Sequence, residues 1–343
     1  MALIPFYKPT LRRKDMDAVL QTMVDERIGP GERKNAFLKE FCAQVGAQGG
    51  IVVRSFPQAL RNALLLCQLP QGSTIGVSAL SPQIYATIAE ELGYHLELGD
   101  IDPEHGCLSV YEAKRLVEAG CSALLIHEPM CQIPHLADYR QFGVRVIEDI
   151  SQSFASAYDD QVAGSWGDLI LCSFEEDSVI STAGGAALVY KNEQDGVLLR
   201  RLFKPLQEFE ELPDLNAALG IIQLAGLDEH IAKRREFHAL FSKALLKTQH
   251  KLYGIGNIDF QPNGYGFCVI LDSKAEEAIK FANKYQVSAK KTFSESLIKP
   301  FLDCFDLYPN AIPPALRSLS LPIYPFLKQS DVELLMKVIS HLP

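Results

Sequence analysis

The sequence predicts an α/β protein: a mainly parallel sheet covered by helices on both faces, followed by a smaller C-terminal α/β unit. Three observations predict it. From Gly50 to Tyr190, short apolar runs of strand length alternate with helix-length amphipathic segments, the rhythm of strands joined by helical crossovers. After Leu219 the texture changes to a long helical region and then a shorter strand–helix set. A chain of 343 residues is also long enough to bury two cores.

The elements follow in order. A short N-terminal arm precedes an expected helix over Arg12–Val24, which ends before Gly29-Pro30-Gly31. Phe37, Leu38, Phe41, Cys42 and Val45 fall at helical spacing, and Gly46 stops that pattern. Strands are expected at Gly50–Val53, Ser73–Val77, His95–Leu98, Ser122–His127, Val144–Glu148, Asp168–Cys172 and Ala186–Tyr190. Between them, helices are expected at Gln58–Cys67, Ser81–Leu92, Tyr111–Glu118 and Leu136–Phe142. Ligands bind beyond the carboxyl ends of strands in such sheets, which directs attention to Glu148-Asp149 and to Cys172-Ser173-Phe174. Downstream, the pattern predicts one long helix from Ala217 to Gln249, with Lys233, Arg234 and Arg235 on a solvated face. A strand at Gly266–Leu271 and a helix at Lys274–Lys284 follow, then a loop-rich stretch from Ser288 to Pro314 and a closing helix at Ser330–Ile339. The expected division is residues 1–225, a large domain with the N-terminal arm, and residues 226–343, a small domain.

Composition narrows the function classes. The net charge is −9, with 42 acidic against 33 basic side chains, which argues against a nucleic-acid surface. No apolar run approaches the roughly 20 residues that span a bilayer, and the opening MALIPFYKP is a poor signal peptide. The eight cysteines form no CxxC pair and read as buried thiols of a reducing compartment. A cytoplasmic protein is expected. His127, Glu128, Cys131 and His135 match no standard zinc spacing, so no metal is expected. Neither Gly29-Pro30-Gly31 nor Gly184-Gly185 makes a nucleotide fingerprint.

The ordered landmarks resemble the DegT/DnrJ/EryC1/StrS family of pyridoxal-phosphate (PLP)-dependent sugar aminotransferases along almost the whole chain. They run from Ile4-Pro5-Phe6, Lys8-Pro9 and Gly29-Pro30-Gly31 through Gly93 and Asp100-Ile101-Asp102-Pro103. Val146-Ile147-Glu148-Asp149 with Gln152 follows, then Gly167-Asp168, Ser173-Phe174, Ala217-Ala218-Leu219-Gly220 and Leu321-Pro322-Ile323-Tyr324. The resemblance implies an aspartate-aminotransferase-like fold (PLP-dependent transferase type I), a homodimer, and transfer of an amino group to a keto-sugar nucleotide. It also assigns roles. Asp149 would pair with the pyridine nitrogen, an anion that keeps the ring protonated and electron-accepting. Gln152 would reach the phenolic oxygen, and Ser173 and Ser55 the phosphate.

The pattern breaks at its centre. The family lysine is expected four residues beyond Phe174, and that residue is Ser178. No lysine stands between Phe174 and Gly185, and Lys191 lies beyond a strand. The lysine holds PLP as a Schiff base and moves the substrate proton; a serine hydroxyl does neither. Glu175, Glu176 and Asp177 add negative charge beside it. The phosphate-binding Ser-Gly-Thr of the family becomes Ser55-Phe56-Pro57, which adds bulk and removes an N–H donor. The aromatic cover of the ring becomes Pro82. The expectation is a homologue without covalent cofactor or Schiff-base transamination, whose cleft serves binding, regulation or partnering with an active paralogue. The ligand expected there is small and anionic, or a sugar nucleotide, with Lys290, Lys291 and Lys299 as possible contributors. The alternative is a sugar-nucleotide-modifying enzyme or aminotransferase that uses PLP or pyridoxamine phosphate (PMP) non-covalently, or through another lysine.

Overall fold

The computed structural model describes residues 3–9, 11–135, 137–159, 161–205, 207–254 and 259–343. Seven strands form the large sheet: β1 (Gly49–Val53), β2 (Thr74–Ser78), β3 (His95–Gly99), β4 (Ala123–His127), β5 (Arg145–Asp149), β6 (Leu169–Ser173) and β7 (Ala186–Tyr190), in the order β1-β7-β6-β5-β4-β2-β3. Only β7 runs against its neighbours, pairing antiparallel with both β1 and β6; the other contacts are parallel. The sheet is therefore mixed but mainly parallel. β4 and β7 are buried at every position, as strands covered on both faces must be. One covering layer buries Leu60, Leu64, Tyr85 and Ile147; the other buries Phe37, Phe41, Ile170 and Phe174.

Helices α1 (Arg13–Val24), α2 (Glu32–Val45), α3 (Phe56–Leu66), α4 (Ile84–Glu91) and α5 (Val110–Glu118) stand near their expected places. Gly46 ends α2 with φ 61°, the left-handed conformation that releases a chain from a helix at least cost in glycine. The helix expected from Leu136 begins outside the described residues, and its described part is Ala137–Arg140.

The smaller sheet contains β8 (Lys251–Leu252), β9 (Phe267–Ile270), β10 (Lys290–Lys291) and β11 (Ser318–Leu321), in the order β8-β9-β11-β10. Its core holds Phe241, Phe267, Leu319 and Leu335. Ile4 is buried in that same core and bridges Val287, so the N-terminal arm packs on the small unit although it leads into the large one.

Three expectations are corrected. The single helix over Ala217–Gln249 is two helices, Asp214–Ala225 and Leu227–Leu245. They are broken at Gly226 (φ −100°, ψ 5°), where glycine lowers the cost of leaving helical geometry. The solvated face holds for Lys233 but not for Arg234, which is only 4% exposed. Its Nη1 donates to the carbonyls of Gly264 (2.9 Å) and Ile323 (3.0 Å), partners that sequence spacing does not reveal. The stretch 288–314 also carries β10 and a turn of 3-10 helix at Lys299–Phe301.

Candidate functional site

A cavity of about 230 Å³ lies between the carboxyl ends of the large-sheet strands and the small sheet. His127, Gln152, Ser178 and Ser181 line it from the large unit; Lys290 and Arg234 line it from the other side. The large sheet delivers its residues by register. His127 and Asp149 are cross-strand partners at the ends of β4 and β5, and Ser173 ends β6 beside them.

Asp149 is 1% exposed and lies behind His127, not on the cavity wall. Its Oδ1 accepts from the Ser151 amide (3.0 Å) and the Ser151 hydroxyl (2.5 Å). Its Oδ2 accepts from the Tyr85 hydroxyl. His127 Nδ1 stands 3.7 Å from Oδ2, beyond hydrogen-bond length. Burial alone would raise this carboxyl, but His127, Ser151 and Tyr85 outweigh it and hold it below the usual carboxylate range. Burial, and then the Asp149 charge, push the Tyr85 hydroxyl well above its ordinary value. Tyr85 therefore stays protonated and donates.

The other expected residues are dispersed. Gln152 lines the cavity, with Oε1 accepting from the Met130 amide at 2.9 Å. Ser173 accepts from the Glu175 amide through its hydroxyl (3.3 Å), and its own amide donates to the Ser151 hydroxyl (2.9 Å). Ser55 precedes α3 without a side-chain cap, and its hydroxyl stands 3.4 Å from Gln58 Oε1. Neither Ser173 nor Ser55 reaches the cavity wall. Ser178 does, after a turn in which its amide donates to the Glu175 carbonyl (3.1 Å).

The acidic run is partly tied down. Glu176 accepts from the Tyr7 hydroxyl (2.9 Å) and Asp177 from the Tyr265 hydroxyl (3.4 Å). Lys191 Nζ donates to the Val45 carbonyl (2.7 Å), away from the cavity. Lys290 lies 4.0 Å over the Phe6 ring, its pKa lowered by burial against the opposing pull of Asp177. Lys291 pairs with Glu276. Pro82 lines the cavity and forms a bridge with Ser296; the Gln83 amide donates to the Glu295 carbonyl (2.9 Å) beside it. Among the described residues, no cluster of three His, Cys, Asp or Glu side chains could hold a metal.

Residue-by-residue reading missed Tyr85, Met130 and the cavity position of Arg234. His127 could have been found, because it ends the strand that neighbours Asp149's.

This mixed seven-stranded sheet with a smaller C-terminal domain has the architecture of the type I PLP-dependent transferases. The chain belongs to the DegT/DnrJ/EryC1/StrS aminotransferase family, whose model matches residues 9–204 and 209–340. It is 23% identical to the spore coat polysaccharide biosynthesis protein SpsC of Bacillus subtilis, covering 96% of this chain and 94% of SpsC. Among solved structures, the aminotransferase TlmJ from Streptoalloteichus hindustanus superposes with a TM-score of 0.90 at 19% identity, over 98% of both chains. The E. coli GDP-4-keto-6-deoxy-D-mannose-3-dehydratase with bound hydrated PLP gives 0.85 at 16% identity, over 99% of this chain and 100% of that one. Among the described residues no helix is long and apolar enough to cross a membrane.

Proposed function

We propose that this chain is a family member that does not perform Schiff-base transamination, and that its cavity is a retained or remodelled cleft for binding, regulation or partnering. The observation that carries the reading is Ser178, which lines the cavity at the position where the family's lysine is expected. A hydroxyl there can neither anchor PLP nor act as the amine base. The residues present also do not fit the cofactor as the family holds it. Both Asp149 oxygens already accept from protein donors, and Pro57 in the first turn of α3 withholds an amide from any phosphate.

We take the ligand to be a small anion or a sugar nucleotide: Lys8, Lys290 and Lys291 line the cleft, where Glu176, Asp177 and Glu295 also stand. We take the protein to be a cytoplasmic homodimer of two-domain chains, divided into 1–225 and 226–343, with an active paralogue as a candidate partner. The test is the absorbance spectrum after incubation with PLP, repeated after borohydride reduction. No retained pyridoxyl group is expected; a stoichiometric one would sink the reading and locate the amine.

A second reading is an enzyme using PLP or PMP non-covalently, or through another lysine. Lys290 favours it, as an amine on the cavity wall with a lowered pKa, and so does the dehydratase relative solved with hydrated PLP. Submillimolar, saturable binding of PMP by calorimetry would favour this reading over the first.

A further inference from the structure

We propose that Tyr85 and Phe56 fill the volume that a cofactor would occupy, so that Asp149 serves an internal phenol and the ligand cleft ends at His127. This deepens the proposed function and rests on it only for taking Asp149 and the N-terminus of α3 as the two ends of a cofactor site. A pyridoxyl phosphate must span from a phosphate cup at a helix N-terminus to a carboxylate that receives its ring nitrogen. In this chain two side chains connect those ends. Phe56 is the first residue of α3, and its ring lies 6.4 Å from that of Tyr85 at an interplanar angle of 21°. Tyr85 is fully buried, and its hydroxyl donates to Asp149 Oδ2.

The accounting at Asp149 leaves little room for a second guest. A carboxylate offers about four lone-pair directions. Two are used by the Ser151 amide and hydroxyl and one by Tyr85. His127 Nδ1 stands 3.7 Å from Oδ2, the oxygen that accepts from Tyr85. The His127 ring stands edge-on to Tyr85, with centroids 6.2 Å apart at 88°, and closes the stack toward the cavity. The cavity lining agrees: it includes His127, Gln152 and Ser178 but not Ser55, Phe56, Tyr85, Asp149 or Ser173. A ligand in this cleft would therefore rest on His127 in place of a cofactor rather than on top of one.

The full-length protein supplies the test. Calorimetric titration with PMP should give no saturable binding to the wild type. The Phe56→Gly/Tyr85→Ala double variant should bind PMP at least tenfold more tightly. A folded double variant that gains nothing would overturn the proposal. Because that variant could fail to fold, a second measurement uses the intact protein. The Tyr85 hydroxyl proton, shielded and bonded to a carboxylate, should give a slowly exchanging low-field proton resonance. It should be absent from Tyr85→Phe and unchanged by millimolar PMP. Saturable PMP binding to the wild type with loss of that resonance overturns the filling of the site and favours the non-covalent reading, whereas absence of the resonance from the ligand-free wild type overturns the filling alone. A borohydride-fixed group with the resonance intact supports the filling and overturns only the non-transaminating reading.

Discussion

Glu128 and Glu148 meet in the interior, both fully buried, and burial raises both carboxyls. Backbone amides hold Glu148 the lower of the two. Its Oε1 accepts from the Gly164 amide (2.5 Å), and its Oε2 from the amides of Gly167 (2.6 Å) and Trp166 (3.2 Å). Glu128 has no such nest. Its Oε2 accepts from the Ser153 hydroxyl, and its Oε1 has no donor among the described residues. Burial first, and then the Glu148 charge, push Glu128 well above the ordinary carboxylate value, so it keeps its proton and can share it with Glu148.

That pair predicts a pH dependence. A carboxyl raised by folding contributes its stability fully below the unfolded value of about 4.3. The contribution is lost as pH climbs toward and through the folded value, by up to about 1.4 kcal/mol per pH unit. Glu128→Gln keeps the shape, can donate to Glu148 and does not titrate. Its melting temperature should gain on that of the wild type as pH rises from 5 to 8. Parallel pH profiles for the two proteins would show that Glu128 is not the proton carrier.

Asp214 caps a helix that is remote from it in sequence. α2 follows Gly31, which has no side chain to cap it. Asp214 Oδ1 accepts from the Lys34 amide (2.8 Å) and Oδ2 from the Arg33 amide (3.2 Å). A Cβ on Gly31 would fall 2.8 Å from that Oδ2, which gives the glycine a packing reason. Asp214→Ala should cost about 1–3 kcal/mol, the sum of a lost cap and exposed helix donors, read as a lower urea midpoint. An unchanged midpoint would mean that water replaces the carboxylate.

These two sites mark the limit of what was legible. The strands of the large sheet follow from local apolar runs, since burial on both faces writes itself into consecutive residues such as Leu124-Leu125-Ile126. Asp149 and Gln152 were found because a motif of adjacent residues carries them, and Ser178 because a spacing does. Asp214 over Gly31, Tyr85 on Asp149 and Arg234 on the Gly264 and Ile323 carbonyls depend on three-dimensional closure. No local period encodes them. The reversed β7 was equally silent, because a buried strand has the same composition in either direction.

Tyr253 predicts the opposite sign of change. It is 7% exposed, and its hydroxyl has no hydrogen-bond partner among the described residues. The hydroxyl also occupies the place that a Cβ on Gly106 would take. An unpaired buried hydroxyl costs about 1–3 kcal/mol. Tyr253→Phe should therefore be neutral or raise stability by up to about that amount in thermal denaturation. A clear loss would reveal a water or ligand held by the hydroxyl.

Ser178→Lys asks whether the missing amine is the whole of the difference from an aminotransferase. If it were, restoring the lysine would restore covalent capture of PLP, because the new side chain starts from the cavity wall. The geometry around it argues otherwise. Tyr85 and Ser151 hold Asp149, Pro57 denies the phosphate an amide, and Glu176 and Asp177 line the cavity beside the new amine. Those carboxylates would keep a lysine at position 178 protonated, the form that cannot attack an aldehyde. The single variant should show no more borohydride-fixed pyridoxyl group than the wild type. Combining it with Phe56→Gly and Tyr85→Ala should raise the yield severalfold, measured by absorbance and by the mass of the reduced peptide. Full labelling of the single variant would reduce the divergence of this site to one residue.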